Sequence, residues 1–332
     1  MNVLFTSAGR RVELLRAFRR AYDELGLDGS IVVTDVDPLA PSIRVADRHH
    51  LVPRLTDPRY LDALVQVVHR ERVDLILPLI DPDVPVLARG RRRLEEAGAH
   101  AVLIPDGSIA STVDKLETRA LFAHLDVPAP RTWTPAEARA DALEFPAFVK
   151  PRFGSAAQQC VQVRDRRELD FFLDSVPEPI IQEYLPGPEI TTDVLCDPRD
   201  AGKVLAAVSR RRIQVREGEV AKGVTVHDPA IIEYCVTIAR RLEAIGPITV
   251  QCILRGDQPL FTEINPRFGG GVPLGIAAGV LSPHWLLAVA SGRPVDIPPL
   301  GSYEVGLYMT RFDDSFFLRE DDVGRRGEGR LP

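Results

Sequence analysis

Cysteine is scarce. Four occur in 332 residues, at Cys160, Cys196, Cys235 and Cys252, with no Cys-x-x-Cys pair and no histidine cluster beside any of them. That pattern excludes a disulfide framework and a structural zinc site, and is the pattern of a reduced, cytoplasmic chain. Long apolar runs are missing too. None approaches the roughly 20 residues that cross a bilayer. The apolar start, Met1 to Phe5, meets Arg10 and Arg11 too soon for a signal peptide and reads as a buried first strand. Positive charge is not in surplus, since 41 Lys and Arg face 47 Asp and Glu for a net charge of -6. A nucleic-acid backbone needs a basic face, so nucleic acid is not an expected partner, although a local basic pocket for one nucleotide is compatible with this balance.

Glycine is thin at the first candidate phosphate loop. Ser7-Ala8-Gly9-Arg10-Arg11 sits between a strand and a helix, yet holds one glycine where G-x-G-x-x-G has three. A backbone of that kind does not approach a pyrophosphate closely. Asp35, ending the next strand, is then better read as a strand-end acid than as the ribose ligand of a dehydrogenase. Ser7 and Gly9 are expected to line a substrate pocket at the carboxyl end of the sheet.

Strands and helices alternate through the first hundred residues. Asn2–Thr6, Ile31–Asp35, Val73–Leu77 and Ala101–Ile104 read as strands. Arg11–Leu25, Pro58–Arg72 and Val84–Ala97 carry apolar residues at helical spacing. This order implies a parallel sheet with helices on both faces. The pattern then changes. A helix over Asp114–Leu125 is stopped by Val127-Pro128-Ala129-Pro130. Strands at Ala147–Lys150, Val161–Val163 and Ile180–Tyr184, with a helix over Arg167–Ser175, suggest a small α+β unit. Beyond Glu189 come strands at Thr191–Cys196, Val204–Ser209 and Gly223–Val226 and a helix over Pro229–Ile245. Strands Ile248–Arg255 and Gln258–Glu263 follow, joined by Gly256-Asp257 as a hairpin.

The strongest chemical signal is Glu263-Ile264-Asn265-Pro266-Arg267. On a strand, Glu263 and Asn265 share a face, and a carboxylate with an amide oxygen suits a hard cation such as Mg2+. Arg267 continues the spacing with a planar fork that fits a phosphate or carboxylate. Gly269-Gly270-Gly271 follows, and three adjacent glycines suggest close backbone approach to a ligand. Gln251 lies among apolar neighbours, and across a hairpin it would sit beside Glu263, either completing a metal shell or making an ordinary buried amide bond. Lys150 ends an apolar strand ahead of Gly154-Ser155, where an amine and turn N–H groups reach a phosphate together. Alone, a lysine in this setting is usually a surface cation. Ile180–Leu185 followed by Pro186-Gly187-Pro188-Glu189 is a strand edge that could pair with an adenine, with Glu189 on the ribose. Arg210-Arg211-Arg212 to Lys222-Gly223 is basic and turn-rich, and reads equally as a closing loop or a solvated hairpin.

Taken in this order, these segments resemble the ATP-grasp superfamily, in the style of its carbamoyl-phosphate synthetase large-subunit-like members, from the N-terminus to about residue 312. The resemblance implies an α/β chain with α+β subdomains. Residues 1–106 would form a Rossmann-like pre-ATP-grasp domain, 107–185 a small lid subdomain, 186–315 a C-terminal subdomain with the metal site, and 316–332 a flexible tail. It further implies ATP and Mg2+ (with Mn2+ as an alternative) as cofactors. Lys115 and Lys150 would hold phosphates under a flap over Arg152–Gln158 that includes Gly154 and Ser155. Gln182, Glu183, Tyr184 and Leu185 would be the adenine hinge and Glu189 the ribose acid. Gln251, Glu263 and Asn265 would bind metal, with Arg267 and Lys150 catalytic. The implied activity is carboxylate–amine ligation through an acyl phosphate, with small-molecule acid and amine as partners, no membrane, and a homodimer left open. The flap is poorer in glycine than is usual in that family, and Gln251 stands where many members have an acid. The competing reading is a regulatory or scaffolding nucleotide-binding protein with little ligase activity.

Overall fold

The computed structural model describes residues 1–140, 142–154, 159–216, 218–320 and 323. The expected flap centre at 155–158, which includes Ser155, and nearly all of the chain beyond residue 320 lie outside them. Three sheets follow one another along the sequence. The first is parallel, with order β3-β2-β1-β4-β5, built from β1 (Val3–Thr6), β2 (Ile31–Asp35), β3 (Arg48–Leu51), β4 (Leu75–Pro78) and β5 (His100–Ala101). Strands β1, β2 and β4 are buried throughout. Continuous apolar runs of this kind need cover on both faces. Helix α1 (Val12–Leu25) lies over one face, while α2 (Tyr60–Glu71) and α3 (Asp83–Glu96) supply the core of the other. Gly26, at φ +54°, lets the chain turn left-handed and end α1. Strand β3 was not visible in the sequence, because Arg48-His49-His50-Leu51 has no apolar alternation. It forms as an edge, pairing Val32 with Arg48.

After α4 (Ala110–Val113) and α5 (Lys115–His124) comes a four-stranded sheet of order β6-β9-β7-β8. It comprises β6 (Thr132–Trp133), β7 (Ala147–Pro151), β8 (Val161–Val163) and β9 (Pro179–Glu183), with α6 (Pro135–Ala140) and α7 (Arg166–Ser175) alongside. Its core of Trp133, Ala147, Val149, Val163, Leu169 and Ile181 is its own.

The third sheet is antiparallel, with order β14-β13-β10-β11-β12-β15. Its strands are β10 (Glu189–Cys196), β11 (Val204–Arg216), β12 (Glu219–Val226), β13 (Pro247–Arg255), β14 (Gln258–Asn265) and β15 (Tyr308–Thr310). The expected hairpin turn closes β13 on β14, with Arg255 opposite Gln258. Helix α8 (Pro229–Arg241) covers one face. It stops short of the expected Ile245, as Glu243 takes a positive φ of 48°. Helices α9 (Val272–Ala277) and α10 (Ser282–Ser291) return to α1. Phe18 joins the two sheets: its ring centroid lies 4.7 Å from that of Phe5 and 5.8 Å from that of Phe268. The first and third sheets thus share one core, which sets the loops after β1 and β4 against the end of β14.

The loop after β1 is fixed by Asp83, the first residue of α3. Its carboxyl accepts from Thr6 Oγ1 at 2.6 Å, Ser7 Oγ at 3.0 Å and the Tyr60 hydroxyl at 3.3 Å. Burial pushes this acid up to about 6, against the pull of the three hydroxyls. A folded-state pKa above the unfolded value means that the native state holds the proton more firmly. The contribution of Asp83 is therefore most favourable below about pH 4 and declines as pH rises to about 6. In Asp83→Asn that decline should vanish. Urea unfolding at a series of pH values should show the variant gaining on wild type by on the order of 2 kcal/mol between pH 4 and pH 7. A difference that does not change with pH would contradict this.

Candidate active site

A cavity of about 530 Å³ opens where the three sheets meet. The small sheet contributes Lys150 near the end of β7. The residue is 8% exposed and its ammonium donates to Gln182 Oε1 at 2.9 Å, while Gln182 Nε2 donates to Thr132 Oγ1 at 3.0 Å. Two neutral side chains on neighbouring strands therefore aim the lysine. Burial pushes it down to about 8, although Glu263 opposes that shift. Beside it, Lys115 opens α5 and donates to Gly154 O at 2.9 Å. Asp114 caps that helix by accepting from Leu116 N at 3.0 Å, and holds Arg152 through two bonds of 2.7 and 2.5 Å. The turn after β7 and the start of α5 are thereby stitched together.

Strands β10, β13 and β14 form the facing wall. Gln251 lies directly opposite Glu263, and Thr191 opposite Gln251. The ladder slips at Gln251/Cys252, leaving Thr262 as an extra residue, and a bulge of this kind re-aims the side chains beyond it. With its nitrogen turned inward, the Gln251 amide donates to Glu263 Oε2 at 3.2 Å and to Glu189 Oε1 at 3.3 Å. Glu189 also accepts from Arg212 Nη1 at 2.5 Å. Burial raises the Glu263 acid, Lys150 opposes that rise and Asp81 adds to it. Lys150 and Glu263 feel one another across the cavity, yet no ion pair closes between them among the described residues.

Arg267 ties this wall to the parallel sheet. Its Nη2 donates to Asp81 Oδ2 at 2.6 Å and to Asn265 Oδ1 at 3.1 Å. From the same side come Arg10 and Arg11, the latter 3.1 Å from Glu219. The oxygens of Glu263, Gln251 and Asn265 suit a hard cation that completes its shell with phosphate oxygens. Among the described residues no group of three His, Cys, Asp or Glu side chains surrounds a cation position, so the carboxylate of that set is Glu263 alone.

Lys115, Lys150, Gly154, Glu189, Gln251, Glu263, Asn265 and Arg267 all line this one cavity. Other expected residues have different surroundings. Ser7 and Gly9 do not line it: Ser7 is turned to Asp83, and Gly9 N donates to Asp35 Oδ2 at 2.7 Å. Asp35 thus organises its own loop. Of the expected hinge, Gln182 serves Lys150, while Glu183 bonds Arg131 N at 2.7 Å through its carboxylate and pairs with Arg255. The Glu183 N–H donates to Arg131 O, and neither Glu183, Tyr184 nor Leu185 is among the lining residues. Of the two readings of the basic stretch 210–223, its described residues follow the hairpin. It forms the outer halves of β11 and β12, paired from Ser209–Val226 to Arg216–Glu219. Its first arginine, Arg210, is 3% exposed and bonded to Asp193.

The three glycines make room for these ion pairs and also line the cavity. A Cβ on Gly271 would lie 2.2 Å from Arg210 Nε, and one on Gly270 would lie 2.8 Å from the Glu219 carboxyl carbon and 2.9 Å from Arg11 Nη1. Asp81, Arg11 and Glu219 were missed in the sequence. The one available signal was position, since Asp81 follows a parallel strand at its carboxyl end, where ligands of such sheets bind.

Residues 175–306 match the family model described as ATP-grasp in the biosynthetic pathway with Ter operon, and residues 3–102 match the PylC-like N-terminal domain. By these matches the chain carries a PylC-like N-terminal domain followed by an ATP-grasp domain. Among curated relatives, the carbamoyl phosphate synthase large chain of Thermus thermophilus is 26% identical over 310 residues, covering 85% of this chain and 29% of that one. The chain thus spans under a third of the length of that relative. Among solved structures, the biotin carboxylase domain of Hydrogenobacter thermophilus 2-oxoglutarate carboxylase, determined with MgADP and bicarbonate, superposes with a TM-score of 0.73 at 18% identity, covering 92% of this chain and 73% of that one. The L-amino acid ligase of Bacillus licheniformis gives 0.68 at 20% identity, covering 87% and 73%. At such identities the likeness of these two structures is one of fold. The ATP-grasp architecture explains why one cavity draws residues from three sheets: a parallel-sheet domain is followed by two subdomains that face one another.

The glycine run gives a direct test. Gly271→Ala should displace Arg210 from Asp193 and destabilise the fold by about 2–4 kcal/mol in urea unfolding, the scale of a broken buried ion pair. Gly107→Ala, which meets nothing within 4 Å, should stay within about 0.5 kcal/mol of wild type. Equal stability of the two variants would remove this account of the glycines.

Proposed function

We propose that this chain is an ATP-dependent carboxylate–amine ligase that proceeds through an acyl phosphate and releases ADP and phosphate. One observation carries the reading. Lys150 and Glu263, from different sheets, are both displaced toward their neutral forms and held apart across the cavity. A ligand that is anionic toward the lysine and cationic toward the glutamate relieves both, and a magnesium nucleotide is such a ligand. When bound, Mg2+ held by Glu263 with Gln251 and Asn265 supplies charge neutralisation at the phosphates; Gln251 would turn its oxygen inward for this. Mn2+ has the same ligand preference.

Phosphoryl transfer asks the protein for positioning and for charge. Lys150 and Lys115 hold phosphate oxygens, the former aimed by Gln182, the latter by the start of α5. Glu189 is placed for ribose hydroxyls once Arg212 shares it. Arg267, fixed by Asp81 and Asn265, faces the transferred group and steadies the acid that attacks it. An amine then displaces phosphate to give the amide. The separate core of the small sheet allows it to move as a unit over the site and exclude water from a hydrolysable intermediate.

The experiment is ADP release with MgATP across acids paired with amines, repeated with hydroxylamine as the amine so that an acyl phosphate is trapped as its hydroxamate. Glu263→Gln should fold normally and turn over about 100-fold more slowly, the scale of losing one preorganised electrostatic group. Glu304→Gln, an exposed acid outside the cavity, should match wild type. Wild-type turnover by Glu263→Gln at limiting Mg2+ would refute the site. Nucleotide binding without ADP release from any pair would favour a regulatory protein.

A further inference from the structure

A second chamber of about 650 Å³ adjoins the first. Arg10, Arg11, Glu219, Val220, Gly269 and Gly270 border both, so the two share a wall. Three guanidiniums converge there on one carboxylate. Arg11 Nη1 lies 3.1 Å, Arg311 Nη1 3.3 Å and Arg10 Nε 3.6 Å from Glu219 oxygens. Arg311 also reaches Glu13 at 2.9 Å and Gly270 O at 2.6 Å, yet its Nε is buried without a partner. Burial and the nearby Arg267 and Arg311 lower Arg11 to about 10, with Glu219 opposing. Guanidiniums gathered on one wall of a cavity favour a bound anion.

The outer part of the chamber is of another kind. Leu39, Phe312 and Phe316 line it and are 55%, 84% and 43% exposed. Val12, Pro41 and Pro273 add apolar surface, among charged residues that include Arg16, Arg44, Asp313 and Asp314. Large apolar side chains left in water around a concave mouth mark a place where something apolar binds. The volume falls within the range of ordinary small-molecule sites, about 300–1,000 Å³.

We infer that the acid taken by this chain is amphipathic, its carboxylate seated on the Arg11–Arg311 wall beside the nucleotide cavity and an aryl or branched-alkyl body lying in the outer chamber between Leu39 and Phe312. The inference rests on the ligase reading for the word substrate, but not for the pocket. The guanidiniums select an acid over its amide, and the apolar mouth selects a long acid over a short one. Arg311, which follows β15, joins the two, because the residue after it is Phe312.

The test uses acetate, 3-phenylpropionate and 3-phenylpropionamide as probes, titrated into the full chain with saturating MgADP and followed by ligand-observed NMR. 3-Phenylpropionate should bind at least 10-fold more tightly than acetate and 10-fold more tightly than its amide. Phe312→Ala, an exposed substitution without risk to folding, should cut the advantage over acetate about fivefold. Arg311→Gln should cut the preference over the amide, and Phe171→Ala, exposed on α7, should change neither. Equal binding of acetate and 3-phenylpropionate, equal binding of acid and amide, or no binding of any probe would overturn the inference. ADP release is read from parallel samples with MgATP and an amine. Selective binding without turnover faults the ligase reading and leaves the pocket standing. Turnover of short acids without selectivity faults the pocket and leaves the ligase reading standing.

Discussion

Two opposite charges kept from meeting organise this molecule. Lys150 belongs to the small sheet and Glu263 to the large one, and a direct ion pair between them would close the cavity. It is prevented on both sides. Gln182, itself held by Thr132, engages the lysine, and Gln251 stands against the glutamate across the β13–β14 ladder. Unpaired buried charge is costly, and both groups shift toward neutrality in response. The cost is tolerable only where a ligand relieves it, so the same arrangement accounts for both displacements and for the chemistry proposed for the site.

The remainder of the structure serves that separation. The parallel sheet shares a core with the antiparallel one through Phe5, Phe18 and Phe268, which sets the carboxyl ends of β1 and β4 against β14. From there Asp81 fixes Arg267, and Arg11 meets Glu219. Buried arginines at such a seam need room as well as partners, and Gly269-Gly270-Gly271 gives it by having no Cβ to strike Asp193, Glu219 or Arg210. The small sheet, with its own core, is joined to this frame near the site by the Asp114–Arg152 pair and the Lys115 bonds to the turn after β7.

Much of the fold could be read from local pattern. Ile31–Asp35 and Val161–Val163 appear at the residues expected, and the hairpin closes at Gly256-Asp257, because apolar runs and turn residues carry their own signal. The opposition of Gln251 and Glu263 follows from hairpin register and was legible for that reason. What escaped depends on partners far away in sequence. Strand β3 exists only by pairing with β2. Asp81 acquires its role from an arginine 186 residues later. The side chains that a Cβ on the glycine run would strike, from other strands and from α1's leading turn, cannot be seen from the sequence. The bonds from Arg131 and Arg255 to the Glu183 carboxylate are of the same kind, since both partners come from other segments.

The central claim is that Lys150 waits, partly deprotonated, for a phosphate. Calorimetric titration of MgATP at pH 8.5 in buffers of different ionisation enthalpy measures this directly. With a free-state value of about 8, the lysine should recover its proton as the nucleotide binds. Binding at pH 8.5 should then take up about 0.5–0.8 proton. In Lys150→Arg, which stays charged, the uptake at pH 8.5 should disappear while binding persists. MgATP binding without proton uptake at pH 8.5, or binding of NADH in place of MgATP, would contradict the account.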